Sequence, residues 1–222
     1  MSGEILVARR GIVPYEEARE LQKRLAERRR QGDVGDVLLL LEHPPVYTRG
    51  RRSKPEELPM GADWYEAQGI EVRDTDRGGL VTYHGPGQLV AYPIVDLRGY
   101  GDDVHRYVRG LERTMIEALK NAGVRASVIE GLTGVWVGTR KIGSIGLHVR
   151  RGVTTHGLAV NVNNDLQPFE WVVPCGIEGV SMTSLARELG AEQDLDGFAD
   201  LLVAAYAGVF EREAVAADGV AA

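Results

Sequence analysis

A single cysteine in 222 residues leaves this chain without an intramolecular disulfide. No run approaches the ~18 apolar residues of a membrane span; the longest, VLLLLEH at 37–43, is the size of a strand. The N-terminal stretch does not combine a basic start, an apolar centre and a small-residue cleavage site, so a cytoplasmic protein without membrane attachment is expected. Positive charge is in deficit: 26 Lys and Arg against 32 Asp and Glu give a formal charge of −6 and a pI near 5.5. That balance argues against nucleic acid as a partner, because phosphate backbones need a basic footprint. The histidines, at 43, 84, 105, 148 and 156, form no HExxH and no short pairing with Cys or carboxylate, so no metal is expected. There is no GxxxxGK[ST] loop, and GGLVTYHGPG is not a GxGxxG joining strand to helix.

Three helices are legible in what remains. Pro14 at the start of PYEEARELQKRLAERRRQG suits a first turn, acidic residues crowd the beginning of that segment, and Arg28 to Arg30 crowd its end, as the helix dipole prefers. Val104, Tyr107, Val108, Leu111, Met115, Ala118, Leu119 and Ala122 recur at helical steps before Gly123. A third helix is expected from Asp194 to about Glu213, followed by a frayed tail over 214–222. VLLLL, IEVRD, LVTYH, QLVAYPIVDL, GVWVG, KIGSIGLHV and VTTHGLAVNV read as strands. Several follow one another with no crossover helix between them. The expected fold class is therefore α/β of the α+β type, a mixed and largely antiparallel sheet packed with helices, in one domain over 1–213.

Three glycine-dense segments carry the chemistry: DRGGLVTYHGPGQ (76–88), RKIGSIGLHV (140–149) and THGLAVNVNND (155–165). Glycine within a strand marks a bulge, a bend or a close approach to the backbone. Taken singly each segment reads equally well as a hairpin turn; three together, beside His, Lys or Ser, point to a site. Cys175 lies in EWVVPCGIEG, where Pro174 ends the apolar run and Gly176 frees the chain to turn. A free cysteine is most often a small buried hydrophobe, but a thiol at such a turn can also be reached by substrate. It would need activation, because its pKa is ordinarily ~8.5. His84, His156 and Lys141 are the three candidate bases, and the residues alone leave them open.

DRGGLVTYHGPGQLVAYP, GTRKIGSIGLHVRRGVTTHGLAVNVNNDL and VPCGI, with LLLLEHPPVYTRGR upstream, resemble the lipoyl(octanoyl) transferase family from about residue 5 to 205. The resemblance implies a biotin/lipoate protein ligase type of fold. It implies an acyltransferase that moves octanoyl from acyl carrier protein to a lysine of apo lipoyl domains, those of 2-oxoacid dehydrogenase E2 subunits and of the glycine cleavage H protein. No ATP and no metal are implied; the donor brings its own phosphopantetheine thioester. The family's acyl-thioester cysteine falls on Cys175 and its partner lysine on Lys141. Its substrate contacts fall on Arg77, Gly78, Gly79, Leu80, Val81, Thr82, Tyr83 and His84, on Ser144, Ile145 and Gly146, and on Gly157, Leu158 and Ala159. The chain departs from the family's usual residues at Ala91 (often Gly), Gly143 (commonly Ala) and Arg49 (usually Leu).

Other readings compete. An ATP-dependent lipoate or biotin ligase would share the fold but would show a GGG motif and no catalytic cysteine, whereas this chain has RGGLVTYH and Cys175. A cysteine hydrolase would set a histidine beside Cys175. A non-catalytic module would use the basic helix end LAERRR, against the net charge. The run RGRRSK at 49–54 adds one more expectation: Arg51, Arg52 and Lys54 form a local basic patch for an acidic carrier protein, or else a plain solvated loop.

Overall fold

The computed structural model describes residues 3–172 and 181–221. Its main sheet has eight strands in the order β11-β1-β2-β6-β10-β9-β8-β7. These are β1 (Gly3–Ile12), β2 (Val37–Glu42), β6 (Gln88–Ile94), β7 (Ser127–Ile129), β8 (Leu132–Val137), β9 (Arg140–Arg150), β10 (Val153–Asn161) and β11 (Arg212–Ala216). The β11–β1–β2 pairs are parallel and every other pair is antiparallel, so the sheet is mixed and mostly antiparallel, as the run of strands without crossovers predicts. A smaller sheet, β4-β3-β5, is built from β3 (Val46–Arg49), β4 (Glu71–Asp74) and β5 (Thr82–His84).

Helix α1 (Tyr15–Gln31) covers one face of the main sheet, and α3 (Val104–Asn121) with α5 (Leu195–Phe210) covers the other. This explains why β2 is apolar from Val37 to Leu41: Leu38 and Leu40 pack towards α3 and α5 while Leu39 and Leu41 pack towards α1. A third core of Tyr47, Tyr65, Ile70 and Tyr83 joins the small sheet to α2 (Ala62–Ala67). Helix α4 (Leu185–Leu189) is a single turn and more.

The tail expected to fray from residue 214 corrects the sequence reading. Ala214 pairs with Ile5 and Ala216 with Val7, because β1 offers an open parallel edge that α5 returns the chain to. Helix α5 itself stops at Phe210, with Glu211 in the left-handed region at φ 53°, short of the expected Glu213. Among the described residues no helix is long and apolar enough to cross a membrane.

Candidate active site

The three glycine-dense segments meet. Gly78 donates its N–H to Leu147 O at 2.8 Å. A side chain on Gly146 would stand 2.8 Å from Gly78 O and 3.1 Å from Arg77 Cδ. Gly157 is the ladder partner of Gly146, and a side chain there would run into the carbonyl oxygen of Ala91. Gly78 and Gly146 thus let 77–79 lie against β9, while Gly157 lets β10 pack closely on β6. Between 77–79 and the β9–β10 hairpin opens a cavity of about 320 Å³, within the size range of small-molecule sites. One wall is Arg77, Gly79, Leu80, Val81, Thr82 and His84; the floor is Lys141, Ser144, Ile145 and Gly146 with Gly157, Leu158 and Ala159.

Gly78 and Tyr83, both expected at the substrate, do not line the cavity. Tyr83 alternates with Thr82 and His84 along β5, so it points away into the tyrosine core, edge to face with Phe169. Arg49 is drawn off the rim into an ion pair with Asp74, 2.7 Å apart. Gly143 faces α3, where a methyl would stand 2.7 Å from Met115 Sδ, so glycine in place of alanine suits this helix.

The inner end of the cavity is polar. His84 Nδ1 donates to Gln88 Oε1 at 2.6 Å; Gln88 Nε2 in turn donates to Asn161 Oδ1 at 2.9 Å and Tyr83 O at 3.2 Å, which fixes both the amide and the tautomer. Tyr92 O–H donates to His43 Nε2 at 2.7 Å, and His43 Nδ1 donates to Val13 O at 2.7 Å. Burial drives both imidazoles to their neutral forms, lowering His84 to about 3 and His43 to about 4. Arg77 is buried with no carboxylate in ion-pair reach among the described residues; its guanidinium donates to Thr48 O at 2.5 Å, Thr48 Oγ1 at 2.8 Å and Gly78 O at 3.0 Å. His156 adopts the left-handed region at φ 57° inside β10, and its Nε2 meets Asp76 Oδ1 at 2.8 Å. That hydrogen bond, with the nearby His148, holds Asp76 well below the usual carboxylate range. Burial outweighs Asp76 at His156 and lowers its pKa.

Lys141 reaches the outer part of the cavity through a β-bulge. Val135 pairs with Gly143 and Trp136 with Lys141, so Ile142 is an extra residue on β9. A regular strand would set Lys141 on the face of Ile145, Leu147 and Val149, as simple alternation predicts. The bulge instead turns Ile142 into the α3 side of the core and leaves Lys141 on the cavity side. Its Nζ donates to Thr133 O at 3.0 Å and lies 5.4 Å from the centre of the Trp136 ring. Burial lowers its pKa, and the charge of Glu112 partly opposes that.

Cys175, with Pro174 and Gly176, lies outside the described residues. The chain on either side of that segment is at the cavity: Val172 and Met182 both line it. Lys141 N–H donates to Ser181 O and Thr183 N–H to Lys141 O, each at 2.9 Å.

Tyr15, Tyr92, Trp136 and Glu112 were not legible as site residues. Only Glu112 left a signal: it falls one helical step from Val108 and two turns from Leu119, on the apolar stripe of α3, where a carboxylate needs a partner. Among the described residues no group of three or more His, Cys, Asp or Glu could hold a metal ion.

Residues 14–207 match the family model described as lipoyl protein ligase A/B catalytic domain. An octanoyltransferase of Chloroflexus aggregans is 49% identical over 208 residues, covering 92% of this chain and 94% of the relative. One of Solibacter usitatus is 48% identical over 212 residues, covering 96% of each. In fold, the putative lipoate protein ligase Ta0514 from T. acidophilum superposes with a TM-score of 0.72 at 17% identity, over 100% of this chain and 93% of that one. The biotin protein ligase of Aquifex aeolicus is more distant, with a TM-score of 0.52 at 13% identity over 95% of this chain and 70% of that one. By the family model and by relatives aligned over nearly its whole length, this chain belongs to the lipoyl protein ligase A/B catalytic domain family.

Proposed function

We propose that this protein is an octanoyltransferase that moves octanoyl from acyl carrier protein to the lysine of apo lipoyl domains, among them those of E2 subunits and H protein. The observation that carries the reading is Lys141, turned by the β9 bulge into a cavity whose rim residues Val172 and Met182 flank the segment of Cys175. Of the three candidate bases, His84 is the weakest: at about 3 its pKa lies far below that of a thiol, so it cannot hold the proton of Cys175 at neutral pH. Burial lowers the pKa of Lys141, which favours the neutral amine that can accept that proton.

In the proposed reaction Lys141 Nζ, neutral, takes the thiol proton of Cys175. The thiolate forms a bond to the octanoyl carbonyl carbon, the bond to the phosphopantetheine sulfur breaks, and that sulfur takes the proton back from Lys141. In the second half the acceptor lysine amine bonds to the same carbonyl carbon, the bond to Cys175 breaks, and a proton passes from the amine through Lys141 to the Cys175 sulfur. The acyl group arrives as a thioester, so the scheme needs neither ATP nor metal. Ile145, Leu158 and Leu80 offer apolar wall for the chain, and at ~0.8 kcal/mol per CH₂ its burial supplies roughly 5 kcal/mol. Octanoyl transfer from octanoyl-carrier protein to an apo lipoyl domain in the absence of ATP is the expected result. Modification only from free octanoate with ATP would instead make it a ligase.

A further inference from the structure

Glu112 has no part in that scheme, yet it is tied to Lys141 through a single peptide unit. Its carboxylate is buried at the sheet face of α3, 1% exposed, paired at 2.6 Å with the half-exposed Arg109. Glu112 Oε1 accepts the N–H of Gly134 at 3.0 Å. The carbonyl of that same peptide belongs to Thr133, and it accepts from Lys141 Nζ at 3.0 Å. Carboxylate, peptide and ammonium therefore form one chain of hydrogen bonds, in which each end polarises the other. The peptide needs such a clamp. Gly134 sits at φ 122°, a conformation side chains rarely adopt, and the space of its missing Cβ is filled by Lys141 Cε, 2.6 Å from where that atom would be.

We infer that Glu112 is a positioning residue for Lys141, holding the Thr133–Gly134 peptide so that its carbonyl aims at Nζ from beneath the cavity. The inference rests on the proposed role of Lys141 for its catalytic meaning, and on geometry alone for the coupling. Two variants separate charge from clamp. Glu112→Gln keeps an oxygen for Gly134 N–H and removes the charge; Glu112→Ala removes both. Among the described residues Glu112 is the one charge acting appreciably on Lys141, so in either variant Lys141 should deprotonate at lower pH.

The test is competitive labelling of Lys141 with acetic anhydride as a function of pH, read by peptide mass spectrometry on folded protein, beside kcat and KM for octanoyl transfer. The labelling midpoint is expected to move to lower pH in both variants. In Glu112→Ala kcat should fall on the order of a hundredfold with KM nearly unchanged, because the amine is misaimed while the acyl cavity is intact; Glu112→Gln should recover most of that loss. A labelling midpoint unmoved in both variants overturns the coupling whatever the activity, and equal kcat in wild type and Glu112→Ala overturns the positioning role. Failure of the underlying reading would show elsewhere, as wild-type transfer by Lys141→Ala.

Discussion

His84 in the cavity wall and His43 behind it are neutral imidazoles, and that state has a cost that pH exposes. With folded-state values of about 3 and about 4 against 6.5 ordinarily, the unfolded chain takes up protons below pH 6.5 that the native protein refuses. Stability is therefore complete above that value and falls as pH drops towards 4, by on the order of 1.4 kcal/mol per pH unit for each histidine. His156, lowered by burial, and Asp76, whose depressed pKa makes its stabilisation fade only in stronger acid, act in the same direction. Urea unfolding at pH 7 and pH 5 measures this; equal midpoints would contradict the buried neutral network. None of it was legible beforehand, because whether His84 is a base or a structural hydrogen-bond donor depends on Gln88 and Asn161, the latter 73 residues from Gln88. Lys141 was legible as one of three candidate bases, but its setting was not. Its burial comes from a bulge at Ile142, which the neighbouring glycines permit and periodicity does not report.

At the scale of elements, the helices were readable where an apolar stripe runs at 3.6 residues per turn, as in α3, and the strands where both faces are buried, as in β2. β1 was missed because GEILVARRGI carries Arg9 and Arg10 in its second half and alternates only weakly. β11 was missed because REAVA gains its strand identity from β1 and has little of its own. That dependence runs both ways. A chain ending at Glu211 loses the parallel partner of Gly3 to Val7 and leaves β1 as an open edge. A melting temperature below that of the full chain is expected, with a loss of roughly 2–4 kcal/mol for a handful of net hydrogen bonds. An unchanged melting curve would mean that 212–216 contribute nothing to the sheet.

For the molecule as a whole, charge and the position of the cavity mouth set how partners approach. The chain is net negative, but Arg51 and Arg52 stand exposed on a turn whose backbone is bound to Arg77 O and Gly79 O at 3.0 and 3.1 Å, and Arg52 reaches the cavity rim. The turn is thus held rigidly beside the site by the same 77–79 segment that forms its wall. Reversing both charges, Arg51→Glu with Arg52→Glu, should weaken use of octanoyl-carrier protein by about tenfold or more while sparing octanoyl-pantetheine, which has no acidic surface to steer. Equal loss with both donors would reduce the patch to a solvated loop. The fold class and the meeting of the glycine segments were foreseeable from residue pattern and resemblance. The direction of each side chain was not, since Tyr83 and His84 are neighbours in sequence and face opposite ways.

The central claim is that one thiol carries the acyl group between two proteins. Intact mass spectrometry of the chain mixed with octanoyl-carrier protein tests it most directly. The account predicts a single octanoyl adduct on the wild-type protein, labile to hydroxylamine, absent from Cys175→Ser, and lost on addition of apo lipoyl domain as that domain gains the same mass. A wild-type protein that transfers octanoyl to the lipoyl domain without ever showing the adduct, or a Cys175→Ser protein that transfers as fast, would contradict it.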